Sequence, residues 1–307
     1  MDVTDIVQQS AAPRAVTKRG VTPTRRILQI AAARADFRIG LIGFGLLIGL
    51  AIFLPLVSSI DPIKIAYTSK LLPPFPTDGW QWPHLLGTDQ LGRDVLMRCL
   101  VGLRYSLFIG VTTVILMFVV GCSLGLYAGF RGGWVDSVIM RLTDAQLSIP
   151  MIILAITILG VSRPTVPAII LVLGLSGWPL YARVARSVAL GERNRGYVLG
   201  ERVLGASDLR IMLLFVAPVV LPPMAFVAVL DIARMMIFES ILGFLGLGVQ
   251  PPTPTFGNVI ADARKYLINS WWIATMPGLF MLVSLTCLNL VGSALERARN
   301  AVLRGEA

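Results

Sequence analysis

Six long apolar stretches alternate with shorter polar segments along this chain. Each stretch is about 20 residues long, the length that an α-helix needs to cross the hydrocarbon core of a bilayer. Inside lipid a helix satisfies its own backbone hydrogen bonds, whereas an unpaired strand does not. The pattern therefore predicts an all-α, polytopic membrane protein with six transmembrane helices. The predicted spans cover residues 39–57, 105–129, 138–160, 166–187, 212–238 and 272–292.

The amino-acid composition agrees with this pattern. Hydrophobic residues make up 55% of the 307 residues and charged residues only 14%. Average soluble domains carry about 25% charged residues, so an ordinary globular fold is a poor fit. The first apolar stretch is longer than the hydrophobic part of a typical secretory signal peptide. We therefore expect it to remain as an uncleaved anchor.

The positions of Lys and Arg predict the orientation of the chain, because cytoplasmic loops are enriched in these residues. With the N-terminus inside and six crossings, 18 of the 27 Lys and Arg residues fall on the cytoplasmic side and 8 on the outer side. Both termini are therefore expected in the cytoplasm. The net charge of +10 is explained by this asymmetry and by contacts with anionic lipid headgroups. No cluster of basic and aromatic residues indicates a nucleic-acid partner.

Residues that could carry out a reaction are scarce. His84 is the only histidine, and we predict no partner for it from the sequence. Cys99, Cys122 and Cys287 are widely spaced without a metal-binding or disulfide pattern, so we expect them to fill the core. None of the four lysines follows a glycine, which excludes a phosphate-binding P-loop. We predict no catalytic residues, no metal site and no bound cofactor.

The polar segment between the fourth and fifth spans has the pattern of a folded surface. Gly205 supplies the left-handed conformation that ends a helix, and Ser207 or Asp208 can cap the next helix. We expect a helix–glycine–helix elbow that is joined to the fifth span and transmits force to it. An aromatic, an acidic and an apolar residue recur at i, i+4 and i+7 on one face of its first helix: Tyr197, Glu201 and Leu204.

Other charged residues near the predicted spans are expected to have structural roles. Asp89, Arg93 and Asp94 precede the second span, where ion pairs and helix capping would brace an outer vestibule. We favour this role over substrate binding. Near the inner end of the third span, Asp144 is expected to pair with Arg141 at i, i+3.

Five ordered groups of residues resemble motifs of a known family, the C-type permeases of ABC importers for dipeptides, oligopeptides and nickel. The polar elbow is similar to the EAA-type coupling loop of these permeases. The groups extend from residue 33 to the last span, so the resemblance covers the whole chain. They are residues 33–38; 86–95; 144–150; 197–210 with 217–218 and 221–223; and 244–254 with 257–258 and 261–264.

The resemblance implies a type I ABC importer permease, with a MetI-like core preceded by an N-terminal anchor helix, in the bacterial inner (plasma) membrane. It also implies a sister permease that forms a heterodimer with this chain, two ABC ATPase subunits at the cytoplasmic face, and a periplasmic or extracellular solute-binding protein. Closure of the ATPases on ATP would pull the elbows together and switch the pathway between inward- and outward-facing states. The chain itself would be a non-catalytic subunit.

The expected organisation follows from this resemblance. It comprises a basic cytoplasmic tail at 1–38, a first transmembrane anchor helix at 39–58, a periplasmic connection at 59–102, a five-helix permease core at 103–294 with a coupling loop at 189–211, and a cytoplasmic tail at 295–307. The residues expected to contact the ATPase or to shape the coupling loop are Arg195, Tyr197, Glu201, Arg202, Leu204, Gly205, Ala206 and Ser207.

The coupling loop departs from the family pattern at one place. Where the family usually has Glu-Ala-Ala, this chain has Leu199, Gly200 and Glu201. Glycine inside a helix is less favourable than alanine by about 1 kcal/mol, so we expect a less rigid first coupling helix. Glu201 could take over the acidic role from a shifted position.

Ionisable residues in the fifth span are unusual, because charges in a membrane are unfavourable and generally face a cavity or a partner. Asp231 and Arg234 share one helix face at i, i+3, and Glu239 resembles a family position. We expect these three residues to line the pathway or the seam with the sister permease.

Three prolines follow the elbow closely. They remove backbone donors from the fifth span and favour a kink, which we expect to convert movement of the elbow into opening of a gate. They are Pro218, Pro222 and Pro223.

Two other classes of membrane protein fit the sequence less well. A secondary transporter would show inverted repeats with broken helices, and no convincing repeat is present. A membrane enzyme would need paired catalytic groups at one depth. The substrate stays open: short peptides are favoured, with nickel chelates, glutathione or opine-like solutes as alternatives.

Overall fold

The computed structural model describes residues 23–162 and 164–304 of the chain. The part of the predicted basic tail up to residue 22, Arg163 and residues 305–307 lie outside the described residues. Within them the regular secondary structure is helical, apart from one isolated bridge between Thr88 and Asp94. The α-helices are α1 (Pro23–Ala33), α2 (Ala35–Val57), α3 (Val95–Arg131), α4 (Gly133–Leu147), α5 (Met151–Val161), α6 (Val166–Glu192), α7 (Gly196–Val203), α8 (Asp208–Ile211), α9 (Ala217–Phe244), α10 (Phe256–Asp262) and α11 (Trp272–Arg304).

In the described part of the chain, five helical segments are long and apolar enough to cross a membrane. They are α2, α3, α6, α11 and the continuous segment Asp208–Phe244, in which a π-helical turn at Met212–Val216 joins α8 to α9. The pair α4–α5 makes a sixth span if its two halves count as one. The side on which α3 and α6 end is predicted to face the cytoplasm and is called the inner side.

The third predicted span is broken rather than continuous. Helix α4 ends at Leu147, α5 begins at Met151, and the two helices are bent by 80° relative to each other. Pro150 lies at the break; its ring excludes a helical hydrogen bond and disfavours helical geometry at the preceding residue. The apolar run from 138 to 160 therefore contains a sharp turn that its hydropathy does not reveal.

Helix α3 begins at Val95, inside the stretch that the sequence assigned to the outer connection. The Asp94 side chain accepts a hydrogen bond from the Met97 backbone N–H at 2.8 Å and so caps the helix. The first turns carry the buried, polar Arg98, which lowers the local hydropathy. Hydropathy alone therefore placed the start of this helix too late.

The predicted tails are also more helical than expected. Helix α1 lies within the predicted N-terminal tail, and α11 continues to Arg304, beyond the predicted boundary at 295. The two pack together: Ile27 and Ala31 of α1 form a buried cluster with Leu295 and Ala298 of α11. Burial of these apolar groups explains why both segments are helical.

A stripe of glycines holds α3 against α6. An added Cβ at Gly121 would lie 2.5 Å from the Trp178 carbonyl oxygen, and one at Gly125 would overlap the Ala182 carbonyl. Gly129 approaches α6 one turn further along. This spacing of small residues lets two membrane helices pack with their backbones close together.

The anchor helix α2 lies at the edge of the molecule, against α11. Gly40 and Ala51 are the buried positions within α2, and a Cβ at Gly40 would lie 2.8 Å from the Cys287 carbonyl oxygen. Cys287, Cys99 and Cys122 are all buried free thiols. The prediction that the cysteines fill the core is confirmed.

Candidate functional site

The predicted elbow is present at the inner side, and the name elbow refers here to residues 196–211. Gly205 has a φ angle of 82°, in the left-handed region that glycine adopts without strain. Two backbone hydrogen bonds of 3.0 Å close the end of α7 in a Schellman motif: the Gly205 N–H donates to Arg202, and the Ala206 N–H donates to Glu201. The prediction that Gly205 ends the first helix is confirmed.

The second half of the elbow runs directly into the fifth span. Ser207 is the N-cap of α8, and its hydroxyl oxygen accepts a hydrogen bond from the Arg210 N–H at 3.4 Å. Of the two candidate caps, Ser207 therefore has this role. Because Asp208–Phe244 forms one continuous helical segment, the elbow and the fifth span are mechanically joined.

The three prolines of the fifth span lie just after a local distortion of this helix. The π-helical turn at Met212–Val216 ends two residues before Pro218. Pro222 and Pro223 lie inside α9, which stays helical around them. Pro218 has no backbone N–H, and the hydrogen-bond pattern of the helix changes to the wider π-helical turn next to it. A role of the three prolines in gating stays a prediction.

Charged side chains tie the elbow to the inner end of α3. The Asp208 carboxylate lies 3.7 Å from the Arg131 guanidinium and 3.6 Å from that of Arg202. The Arg202 guanidinium also lies over the Phe130 ring, 5.4 Å from its centroid. Arg202 therefore turns towards α3, which makes it a brace of the elbow as well as a predicted ATPase contact.

The aromatic residue of α7 is fixed by the end of α6. The Tyr197 hydroxyl donates a hydrogen bond to the Glu192 carboxylate at 2.8 Å, and Arg195 lies 3.4 Å from the same carboxylate group. Burial and the hydrogen bond to Glu192 raise the pKa of Tyr197 to about 12. The phenol thus keeps its proton at neutral pH and can donate this bond.

One face of the elbow anchors it to the core and the other presents apolar side chains to the surroundings. Val198 and Ile211 are fully buried, and Ala206 packs against the same core. Four exposed apolar side chains lie on the other face and form what is called the docking patch: Leu199 (47% exposed), Val203 (88%), Leu204 (81%) and Leu209 (62%).

The unusual glycine of the coupling loop makes no close contacts. No heavy atom outside its own helix backbone and neighbours would lie within 4 Å of a Cβ added at Gly200. Its presence is therefore not required by packing, and its effect is limited to helix propensity. Glu201 is half-buried, and its backbone carbonyl accepts the hydrogen bond from the Ala206 N–H in the Schellman motif.

An ion-pair cluster holds the outer connection to the start of α3. Arg93 Nε lies 2.7 Å from Asp89 Oδ2, and Arg98 pairs with the same carboxylate. Asp262 at the end of α10 lies 3.2 Å from Arg93 and 3.1 Å from Arg98. The ion pair of Asp89 and Arg93 was expected from the sequence, whereas Arg98 and Asp262 were missed because they come from other elements.

His84 is not isolated, in contrast to the expectation from the sequence. Its Nδ1 atom lies 2.9 Å from Asp94 Oδ2, while the other Asp94 oxygen caps α3. Nearby, the Trp272 indole N–H donates to the Thr88 carbonyl at 3.1 Å. In the described part of the chain, no three His, Cys, Asp or Glu side chains are grouped so that they could hold a metal ion.

The predicted pairing of Asp144 with Arg141 is replaced by a bond between helices. Asp144 Oδ1 of α4 lies 2.6 Å from Arg183 of α6. Asp136, about two turns earlier in α4, pairs through both of its carboxylate oxygens with Arg186 of α6. Two carboxylates of α4 thus pair with two guanidinium groups of α6, because these helices lie side by side at the inner end.

The charged residues of the fifth span separate into two sites. Asp231 accepts a hydrogen bond from the Tyr181 hydroxyl at 2.6 Å and lies 2.8 Å from Arg234. Glu239 is completely buried and accepts a hydrogen bond from Ser106 at 2.8 Å. Glu239 therefore lies inside this chain, away from any surface that could line a pathway or a seam, and only Arg234 reaches the surface.

Comparison with known proteins gives matches along most of the chain. Residues 121–300 match the family model described as binding-protein-dependent transport system inner membrane component. The di/tripeptide transport system permease protein DppC of Pseudomonas aeruginosa is 38% identical over 268 residues, which cover 87% of this chain and 88% of that protein. The dipeptide transport system permease protein DppC of Haemophilus influenzae is 36% identical over 266 residues, with coverage of 87% and 90%.

A solved structure shares the fold. A chain of the MetNI methionine ABC transporter in inward facing conformations matches with a TM-score of 0.53 and 19% sequence identity. The match covers 67% of this chain and 96% of that chain. The helical core of a MetI-like permease is therefore confirmed, and the remaining third of this chain extends beyond the match.

Proposed function

This chain belongs to the family of binding-protein-dependent transport system inner membrane components, and from that premise we propose that it is one of two permease subunits of an ATP-driven importer of short peptides. Peptides are proposed as the substrate class because relatives at 38% and 36% identity carry the names of di/tripeptide and dipeptide permeases. A sister permease would complete the pathway, and a solute-binding protein would deliver the peptide from the outer side.

The proposal that this chain is coupled to an ATPase rests on the docking patch. Val203 and Leu204 are more than four-fifths exposed on the predicted cytoplasmic side, where no lipid would cover them. Exposed apolar groups that cluster on a rigid surface are typical of protein–protein contacts. We assign this surface to one of two cytoplasmic ATPase subunits, in which ATP hydrolysis takes place.

The contacts of the elbow allow it to transmit a movement to the membrane-spanning helices. Asp208 ties it to Arg131 of α3, and the segment Asp208–Phe244 continues from it without a break. Closure of two ATPases on ATP would move the elbow together with α3 and α9, and the pathway would change from inward- to outward-facing. ATP can shift this equilibrium only as far as it binds one state more tightly than the other.

Substitutions in the docking patch test this assignment. Val203→Asp and Leu204→Asp each place a charge in the proposed interface, where an unpaired buried charge is strongly unfavourable. We expect each to lower recovery of the ATPase with an affinity-tagged chain by about tenfold, with recovery of the sister permease unchanged. Ile268→Asp, at a position that is 95% exposed far from the elbow, is the matched control. Equal ATPase recovery in all three variants would refute the assignment.

A further inference from the structure

Tyr181, Asp231 and Arg234 form a polar triad between α6 and α9. The Tyr181 hydroxyl donates to Asp231 Oδ2 at 2.6 Å, and Arg234 Nη2 lies 2.8 Å from Asp231 Oδ1. Tyr181 and Asp231 are almost fully buried, with exposures of 2% and 5%. The Arg234 side chain is 43% exposed. The triad therefore presents one charged group to the surface, the Arg234 guanidinium, and the buried Asp231 carboxylate holds it in place.

The triad lies on two of the segments that are long and apolar enough to cross a membrane, Val166–Glu192 and Asp208–Phe244. With a rise of about 1.5 Å per residue, Tyr181 lies about 22 Å from the outer end of α6 and Asp231 about 20 Å from the outer end of α9. The hydrocarbon core of a bilayer is about 30 Å thick. Arg234 therefore lies on a segment that is long enough to cross this core.

The surroundings of Arg234 are apolar. Ile237 and Ile241, on the same face of α9, are both more than one-third exposed. Towards the inner side, Tyr181 and Val227 line an apolar recess between α6 and α9. A guanidinium is too unfavourable in contact with lipid tails to be retained there, so it must face a water-filled path or a partner group.

The geometry of the ion pair leaves part of the guanidinium available. Asp231 Oδ1 lies 2.8 Å from Arg234 Nη2 while 43% of the Arg234 side chain stays exposed, and an arginine carries five N–H donors in a planar fork. This fork matches a carboxylate, which it binds with two parallel hydrogen bonds. Asp231 itself is too buried to contact a solute.

We propose that Arg234 binds the carboxylate of a solute, in the first instance the C-terminal carboxylate of a short peptide, as it moves through the pathway. This inference rests on the proposed function, because the pathway is that of the permease. Asp231 and Tyr181 are positioning residues: they orient the guanidinium and neutralise it when no solute is bound. Since α6 and α9 flank the elbow in sequence, movement of the elbow would alter the Tyr181–Asp231 contact and the exposure of Arg234.

A labelling experiment on the assembled complex tests whether Arg234 faces water. Ile237→Cys places a thiol one helical turn from Arg234, and the native cysteines are buried. Its reaction rates with an anionic and a cationic methanethiosulfonate reagent are compared without nucleotide and after vanadate trapping. We expect the anionic reagent to be favoured about fivefold or more in one of the two states. This preference should disappear with Arg234→Gln and persist with Arg104→Gln, another exposed arginine within a span.

An uptake experiment tests whether the anion is the solute. In proteoliposomes with the solute-binding protein, Arg234→Gln should lower ATP-dependent uptake of trialanine by about tenfold, while ATP hydrolysis stimulated by the binding protein stays within about twofold. Arg234→Lys should keep part of the uptake, because it keeps the charge but loses the planar fork. Arg104→Gln should transport like the wild type.

The outcomes separate this inference from the proposed function. Failure of both reagents to label Ile237→Cys, equal labelling rates, or wild-type uptake by Arg234→Gln would each overturn the inference. Loss of the sister permease from the Arg234→Gln complex would also overturn it, since Arg234 would then be an interface residue. If the wild-type complex shows no ATP-dependent peptide uptake but labelling is charge-selective, the proposed function falls and the anion site stands.

Discussion

At the scale of single residues, the elbow depends on the backbone conformation of Gly205. Its φ angle is 82°, and no heavy atom would lie within 4 Å of an added Cβ. The constraint is therefore conformational rather than steric. Left-handed geometry costs a residue with a side chain about 1–2 kcal/mol, and a β-branched residue is the least tolerant of it.

Gly205→Val is expected to uncouple the permease. The substitution favours a different direction of α8 relative to α7, so closure of the ATPases would no longer move α9 fully. Peptide uptake in proteoliposomes should fall by about tenfold or more, which corresponds to about 1.4 kcal/mol. Gly200→Ala is the control, because it meets open space and adds about 1 kcal/mol to the helix. Equal losses in the two variants would contradict a special role of Gly205.

The outer ion-pair cluster makes a prediction about stability. Asp89, Arg93 and Arg98 have side-chain exposures of 1%, 6% and 3%. Asp89→Asn would leave two buried guanidinium groups with only Asp262 as counter-ion, and removing one partner of a buried ion pair costs about 3–5 kcal/mol. Thermal unfolding in nanodiscs should show a clearly lower midpoint. Asp78→Asn, at an exposed position of the same connection, should leave the midpoint unchanged, and similar midpoints for both variants would contradict the structural role.

Residues whose partners are close in sequence could be predicted, and residues with distant partners could not. Gly205 and Ser207 end and start helices through local backbone rules. Tyr181 binds Asp231, which lies fifty positions away, and Arg98 binds Asp262 from another helix. No spacing rule connects such pairs, because their contact depends on how the helices pack.

At the scale of helices, the glycine stripe of α3 determines how closely α6 approaches. Gly125→Leu would force the two backbones apart, since even a Cβ at this position overlaps the Ala182 carbonyl. Overpacking of a tight contact typically costs about 1–3 kcal/mol or more. We expect a sharp loss of monodisperse protein in size-exclusion chromatography. A Cβ added at Gly45 in α2 would meet no atom within 4 Å, so Gly45→Leu is the control and should behave like the wild type. A monodisperse Gly125→Leu protein would refute the packing argument.

Hydropathy predicted the existence of the helices better than their ends. The apolar runs located α2, α6, α11 and the fifth span, because a helix that crosses a bilayer must be apolar over about 20 residues. The start of α3 was missed because Arg98 and Arg104 interrupt an otherwise apolar stretch, although Arg98 is covered by protein. The bend between α4 and α5 was missed because an apolar run has the same hydropathy whether or not the helix is broken.

At the scale of the whole molecule, a continuous set of contacts leads from the docking patch into the membrane. The patch lies on the two helices of the elbow and the turn between them, and Asp208 ties the elbow to α3. The segment Asp208–Phe244 carries the triad residues Asp231 and Arg234. α3 and α6 are packed through glycines and should move as a unit. The family could be recognised from ordered motifs in the sequence, whereas this route required the packed structure.

Whether this chain is part of an ATP-driven importer is measured by peptide uptake into proteoliposomes with the reconstituted complex. Proteoliposomes that contain this chain, the sister permease, the two ATPase subunits and a peptide-loaded binding protein are supplied with ATP on the ATPase side. We expect accumulation of labelled peptide that stops when ATP or the ATPase subunits are left out. The Leu204→Asp variant in the docking patch should not support this accumulation. Uptake that continues at the same rate without ATP or without the ATPase subunits would contradict the proposed function.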